Sequence, residues 1–236
     1  MSASSPVDAS PHILTLLSDL HKISLEQEAK IQKDKTKVFS SSVLSGLNNS
    51  QDEFDKIMLD KFIALDEDKC QFMYQLITAM NATNIVEAGT SFGVSTIYLA
   101  LAIAKTKAVT GKPGKVIATE KETEKASIAR KYWDECGDIV SSEIELREGN
   151  LLETLKDGLP TVDLLLLDIW AALALPTLKI VQPHLRPGSV ILTDNTISAA
   201  NGYAELLAYL RDPKNGFRNM TLPFTNGFEM SVYQPS

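Results

Sequence analysis

Apolar positions in the first part of the chain recur at helical spacing. Ile13, Leu14, Leu16, Leu17, Leu20 and Ile23 follow Pro11 and predict a helix to about Lys33. Residues 1–10 read as a frayed tail, and Lys33, Lys35 and Lys37 as a solvated face leading into a linker. The serine- and asparagine-rich stretch 40–50 reads as a loop. Two more helices are expected over about 51–62 and 66–80, the second opening on acids that suit a helix N-terminus. Residues 1–80 thus form an N-terminal helical extension with no convincing core of its own.

From residue 84 the pattern changes. Short apolar runs at 84–88, 115–119, 143–147, 162–167 and 189–193 alternate with helical patterns near 93–106, 122–136, 151–157, 173–183 and 198–211. Buried strands alternating with helices predict a parallel sheet covered on both faces. The alternation then stops: 219–223 and 228–233 flank Thr225-Asn226-Gly227, and Asn-Gly between apolar runs is a hairpin signal. Residues 81–236 are therefore expected to form one α/β domain.

Ligands of open parallel sheets sit beyond the carboxyl ends of the strands, so the polar residues that end each strand carry the chemistry. The first strand ends at Glu87 and runs into a turn punctuated by Gly89 and Gly93 before a helix. This E-x-G-x-x-x-G spacing is neither a dinucleotide fingerprint nor a phosphate loop. An acid there repels phosphate and suits a cofactor with a cationic amino group; a plain strand-to-helix turn is the alternative. Glu120 ends the second strand, where a carboxylate can accept both ribose hydroxyls or simply cap a helix. Gly149 and Asn150 follow the third strand, in a turn suited to border an adenine ring. Asp168 ends the fourth strand, and Asp194 and Asn195 end the fifth. Two carboxylates and an amide oxygen at neighbouring strand ends suit Mg²⁺, although each acid alone is explained by helix capping.

Composition narrows the classes. The 236 residues suffice for one α/β domain, and 44% hydrophobic with 22% charged residues is ordinary for a globular protein. A net charge of -7 and a pI near 5.1 argue against nucleic acid or an anionic membrane as partner. Cys70 and Cys136 lie far apart, outside any metal spacing, and are expected reduced and buried. The start has no basic region and no apolar stretch of signal length, and no run approaches a membrane span, so the expected location is cytoplasmic. His12, His21 and His184 are too scattered for a histidine-based zinc site.

The glycine turn resembles the first motif of class I S-adenosylmethionine-dependent methyltransferases. Val-Asp-Leu-Leu-Leu-Leu-Asp-Ile-Trp and Leu-Arg-Pro-Gly-Ser-Val-Ile-Leu-Thr-Asp-Asn, both within 162–195, resemble the metal-dependent O-methyltransferases of the catechol and caffeoyl-CoA type. The similarity extends from about Ala64 to the C-terminus. It implies a Rossmann-like α/β fold: a seven-stranded, mostly parallel sheet with an antiparallel last strand, helices on both faces and the helical extension. It implies S-adenosyl-L-methionine as cofactor, with Mg²⁺ or a similar divalent cation, and a small phenolic substrate. By the same resemblance Glu87, Gly89, Ser91, Gly93 and Ser95 line the methionine part of the cofactor, Glu120 holds the ribose, and Gly149 and Asn150 lie near adenine. Asp168, Asp194 and Asn195 match the metal ligands, Trp170 an aromatic wall beside cofactor and substrate, and Glu229 an acid that contacts a substrate hydroxyl.

One departure stands out. The family places a general-base lysine three residues after the first metal aspartate, where this chain has Ala171. Metal-independent N- or O-methyl transfer, or S-adenosylmethionine binding without turnover, are the alternatives that this substitution leaves; a nicotinamide dehydrogenase is disfavoured by the glycine spacing. The extension is expected either to cover the substrate or to form a homodimer contact.

Overall fold

The computed structural model describes residues 5–45 and 61–235. It divides into two units, Ser10–Ala64 and Met1–Ala9 with Leu65–Ser236. The boundary lies before the helix that sequence assigned to the extension, so that helix belongs with the sheet.

Within the smaller unit, helix α1 spans Pro11–Ser45. It runs through residues 40–45, which the serine and asparagine content had marked as loop. The returning segment is tied to it by backbone N–H groups: Phe62 donates to the Gln27 side chain at 2.8 Å and Ala64 to the Ser24 hydroxyl at 2.9 Å. The expected helix over 51–62 lies almost wholly outside the described residues.

The larger unit opens on α2 (Glu67–Met80), followed by β1 (Asn84–Ala88), α3 (Val94–Thr110) and β2 (Lys115–Glu120). Next come α4 (Thr123–Cys136), the one-turn α5 (Asp138–Ser141), β3 (Ile144–Glu148) and α6 (Leu151–Thr154). The chain continues through β4 (Val162–Leu167), α7 (Ala171–Val181), β5 (Leu185–Asp194), α8 (Ala204–Arg211), β6 (Phe217–Leu222) and β7 (Phe228–Tyr233). The seven strands form one sheet in the order β3-β2-β1-β4-β5-β7-β6, with β7 antiparallel to both neighbours. A seven-stranded, mostly parallel sheet with an antiparallel last strand is what the resemblance implied. Asn226 and Gly227 adopt φ of 64° and 87°, as the hairpin turn requires.

Alternation along the strands sorts the two faces. Val86, Ala88, Ile117, Leu165, Leu167 and Ile191 form a core with apolar side chains of α7 and α8. Their neighbours Ile85, Val116, Ala118, Leu164, Leu166 and Leu192, equally buried, point to the other face. β4 is buried at every position, as a central parallel strand should be. Each of its leucines contributes about 1.5–3 kcal/mol through burial. The order reverses at β1 and β4, so the carboxyl ends of β1, β2, β4 and β5 make the crevice in which this type of sheet holds ligands.

Candidate active site

The turn after β1 is shaped by contacts that only glycine admits. Gly89 has φ of +95°, and a Cβ there would lie 2.1 Å from the Asp168 carbonyl oxygen. The ends of β1 and β4 therefore touch through bare backbone, reinforced by the Asp168 N–H donating to Ala88 at 3.1 Å. Gly93, the N-cap of α3 at φ +78°, lies against the Trp133 indole; a Cβ would sit 2.5 Å from Nε1. That indole N–H donates to the Gly93 carbonyl at 3.0 Å, pinning the start of α3 from α4.

Glu87 turns its carboxylate toward the start of α3. It is fully buried, and its oxygens accept from the hydroxyls of Ser95 at 2.6 Å, Thr96 at 2.5 Å and Thr90 at 2.8 Å. Burial raises its pKa above the ordinary glutamate value, and the three hydroxyls offset only part of that shift. The acid ties the glycine turn to the first turn of α3, which corrects its expected place lining the cofactor. Ser95 is spent on the same bond.

Glu120 holds two turns at once. One carboxylate oxygen accepts the Ser91 N–H at 2.7 Å, and the other accepts the N–H groups of Lys121 and Glu122, each at 2.8 Å. Its carbonyl accepts the Gly149 N–H at 2.9 Å. Ser91, Glu120 and Gly149 are thus brought together along the β1, β2 and β3 ends, with Glu120 still half-buried and partly open. Asn150 is exposed and caps α6, its side-chain oxygen accepting the Leu152 N–H at 3.1 Å.

The second half of the site lies at the ends of β4 and β5. Asp194 shares a face with Phe228, its partner on β7, and both are buried. The missed residue is Lys69, the third residue of α2. Its side chain is 0% exposed, and its Nζ lies 2.6 Å from Asp194 Oδ1 and 2.8 Å from Asp66 Oδ2. The Phe228 ring centroid lies 5.8 Å from that ammonium, and Phe72, Phe224 and Phe228 pack on one another beside it. A signal existed: Lys69 lies four residues before Met73 and eight before Ile77, both fully buried on α2, so helical spacing puts it on the inward face.

Asp194 Oδ2 accepts the Asn195 side-chain N–H at 2.9 Å, and Asn195 Oδ1 accepts the Ser198 hydroxyl at 3.4 Å. Asp168 is partly open. Burial raises its carboxyl well above the usual aspartate range, Asp194 and Glu87 add to the rise, and Lys69 opposes it. For Lys69, burial pulls the pKa down but the hydrogen bonds to Asp194 and Asp66 carry it above its ordinary value, so it stays an ammonium. Trp170, just beyond Asp168, is 48% exposed and stands at the start of α7.

Glu229 does not join this group. It pairs with Thr193, so it points to the sheet face opposite Asp194. There its two oxygens accept from Arg211 of α8 at 3.1 Å and Thr221 at 2.6 Å. The expected contact with a substrate hydroxyl is replaced by a buried structural one.

The residues can be tested against the two implied ligands. A class I methyl donor fits: a glycine turn, the partly open Glu120 and the partly open Asp168 converge on one crevice. Mg²⁺ does not fit the donors as they stand. Among the described residues no three His, Cys, Asp or Glu side chains converge as a metal-binding group. In the set of two carboxylates and one amide, Asp194 gives one oxygen to an ammonium and the other to an amide N–H, while the Asn195 oxygen accepts a hydroxyl.

The sheet order is that of a Rossmann-like methyltransferase fold. Residues 86–196 match the family described as "Methyltransferase domain", which spans the β1 turn, the β4 acid and the β5 acid. The chain is 30% identical over 142 residues to catechol O-methyltransferase of Niastella koreensis, covering 57% of this chain and 59% of that protein. It is 29% identical over 182 residues to catechol O-methyltransferase B of Danio rerio, covering 71% and 64%. The matches thus span about six tenths of these curated relatives. An O-methyltransferase from Bacillus cereus in complex with SAH shares the fold, with a TM-score of 0.63 at 18% identity over 91% of this chain and 100% of that one. TomG of Streptomyces achromogenes, solved in complex with SAM, superposes with a TM-score of 0.61 at 21% identity over 72% and 82%.

Proposed function

We propose that this protein is an S-adenosylmethionine-dependent O-methyltransferase acting on a small phenolic, catechol-like acceptor. The observation that carries the reading is a shared wall. The glycine turn meant for the methyl donor touches Asp168 through backbone at Gly89, and Asp194 and Asn195 end the adjacent strand, β5. Donor and acceptor would therefore meet at one crevice.

When bound, S-adenosylmethionine supplies a methyl group on a sulfonium: the acceptor oxygen bonds to the methyl carbon, the carbon–sulfur bond breaks with its electron pair returning to sulfur, and the acceptor's proton is released to solvent. The protein's part is to hold the two partners in line and exclude water, and that positioning supplies most of the rate. Ser91, Glu120 and Gly149 border the donor side, with Glu120 offering its remaining lone pair to a ribose hydroxyl. Gly93 stays with them as the start of α3, and Asn150 borders the adenine side. Trp170 offers an exposed aromatic face to an acceptor ring, and Asp168, Asp194 and Asn195 orient its oxygens. The names of the two catechol O-methyltransferase relatives support the acceptor class. The expected Mg²⁺ would be held by Asp168, Asp194 and Asn195, beside the Lys69 ammonium that shares the Asp194 carboxylate.

Calorimetric titration with S-adenosylhomocysteine tests the donor half. The wild type should bind with one site, and Glu120→Ala should weaken binding at least tenfold with the fold intact. Equal affinity in the two proteins would move the donor elsewhere.

A further inference from the structure

We propose that the Lys69 ammonium is the resident cation of the acid cluster at the β4 and β5 ends, standing in for a divalent metal. This inference rests on the methyltransferase reading above and concerns which charge that site carries.

Three observations lead to it. Lys69 is fully enclosed, and an ammonium enters a protein interior only when carboxylates hold it; here Asp194 and Asp66 do, at 2.6 and 2.8 Å. The Phe228 ring faces the ammonium, and Phe72 and Phe224 each pack edge to face on that ring. Lastly, both oxygens of the Asp194 carboxylate already carry a partner, the Lys69 ammonium on Oδ1 and the Asn195 side-chain N–H on Oδ2. A cation bound to Asp194 would share that carboxylate with the Lys69 ammonium. Two positive charges on one carboxylate repel each other.

The role follows from the geometry. Lys69 has no exposed surface, so it acts through Asp194 rather than by touching the acceptor. It fixes the Asp194 carboxylate from beneath and offsets the negative charge that Asp66, Asp168 and Asp194 gather there. Position 171 agrees with a site rebuilt around another cation. Ala171 lies against Gly202, where a Cβ would come 2.9 Å from the Ala171 methyl.

The test reads metal directly. Purified full-length protein is stripped with EDTA, exchanged into buffer and titrated with Mn²⁺, with the free ion followed by electron paramagnetic resonance. Wild type should leave Mn²⁺ free up to millimolar concentration, whereas Lys69→Met, which removes the charge but keeps the volume, should bind one equivalent. Asp194→Asn placed on Lys69→Met should abolish that binding. Stoichiometric binding to the wild type that Asp168→Asn removes would overturn the proposal, as would absence of binding in both wild type and a folded Lys69→Met. Should Lys69→Met not fold, the wild-type titration alone decides. Neither arm needs turnover, so a protein that transfers no methyl group would defeat the functional reading and leave this one to its own result.

Discussion

At the scale of single residues, Gly89, Glu229 and Trp170 carry three different signatures. Gly89 is where backbone must touch backbone. Gly89→Ala forces a φ of +95° on an L side chain and drives a methyl into the Asp168 carbonyl. We expect it to cost about 2 kcal/mol or more in urea unfolding, and to weaken S-adenosylhomocysteine binding in the same preparation. Glu229 gives the opposite signature. Its carboxylate is buried and accepts from Arg211 and Thr221, so Glu229→Ala should cost about 0.5–1.5 kcal/mol of stability through those lost bonds, the two exposed donors turning to water. Its KM for any acceptor should stay within twofold of wild type. A selective rise in KM without loss of stability would restore Glu229 to the acceptor pocket. Trp170 is the converse: Trp170→Ala should leave the unfolding midpoint within about 0.5 kcal/mol of wild type yet raise the acceptor KM severalfold.

At the scale of elements, what sequence could and could not show divides along a physical line. The strands were legible because runs such as 162–167 are apolar at nearly every position, and periodicity reports burial. The strand-end acids were legible because chain order alone places them at carboxyl ends. Contacts across the sheet were not. Which face Glu229 points to depends on the β5–β7 register, a long-range pairing that local pattern does not encode. Glu87 looked like a ligand because its neighbours in sequence form a turn; only the packing of α3 delivers the hydroxyls of Ser95 and Thr96 to it. Lys69 belongs to a helix that charge pattern assigned to the extension, and 125 residues separate it from Asp194. Trp133 shows the same dependence between elements: Trp133→Phe would remove its N–H bond to the Gly93 carbonyl, at a cost of about 0.5–1.5 kcal/mol.

At the scale of the whole molecule, the crevice stores acids that burial disfavours as anions. Glu87 is the clearest, being fully enclosed with its pKa raised. A folded pKa above the unfolded value means that the folded chain holds this proton more tightly. Its stabilisation is therefore complete below about pH 4, near the unfolded glutamate value, and is lost as pH rises through the folded value. Glu87→Gln removes that loss. The stability of the variant relative to wild type, from urea unfolding at a series of pH values, should rise between about pH 4 and neutrality. A difference that stays flat or falls would contradict the burial assigned to this acid. Lys69 raises the stakes at the other end of the crevice, because removing one partner of a buried ion pair typically costs about 3–5 kcal/mol. The two acid centres flank the same backbone contact at Gly89, so the architecture that makes the site also makes it the least forgiving part of the fold.

The central claim is methyl transfer to oxygen at the β4 and β5 ends, and the most direct measurement follows the methyl group itself. S-adenosylmethionine carrying a deuterated methyl is incubated with the protein and a panel of catechols, in EDTA and without it, and each product is weighed and fragmented. The account predicts a labelled methyl on a ring oxygen in both conditions, with Asp168→Asn at least a hundredfold slower. A labelled methyl on nitrogen, or equal rates for Asp168→Asn and wild type, would contradict it.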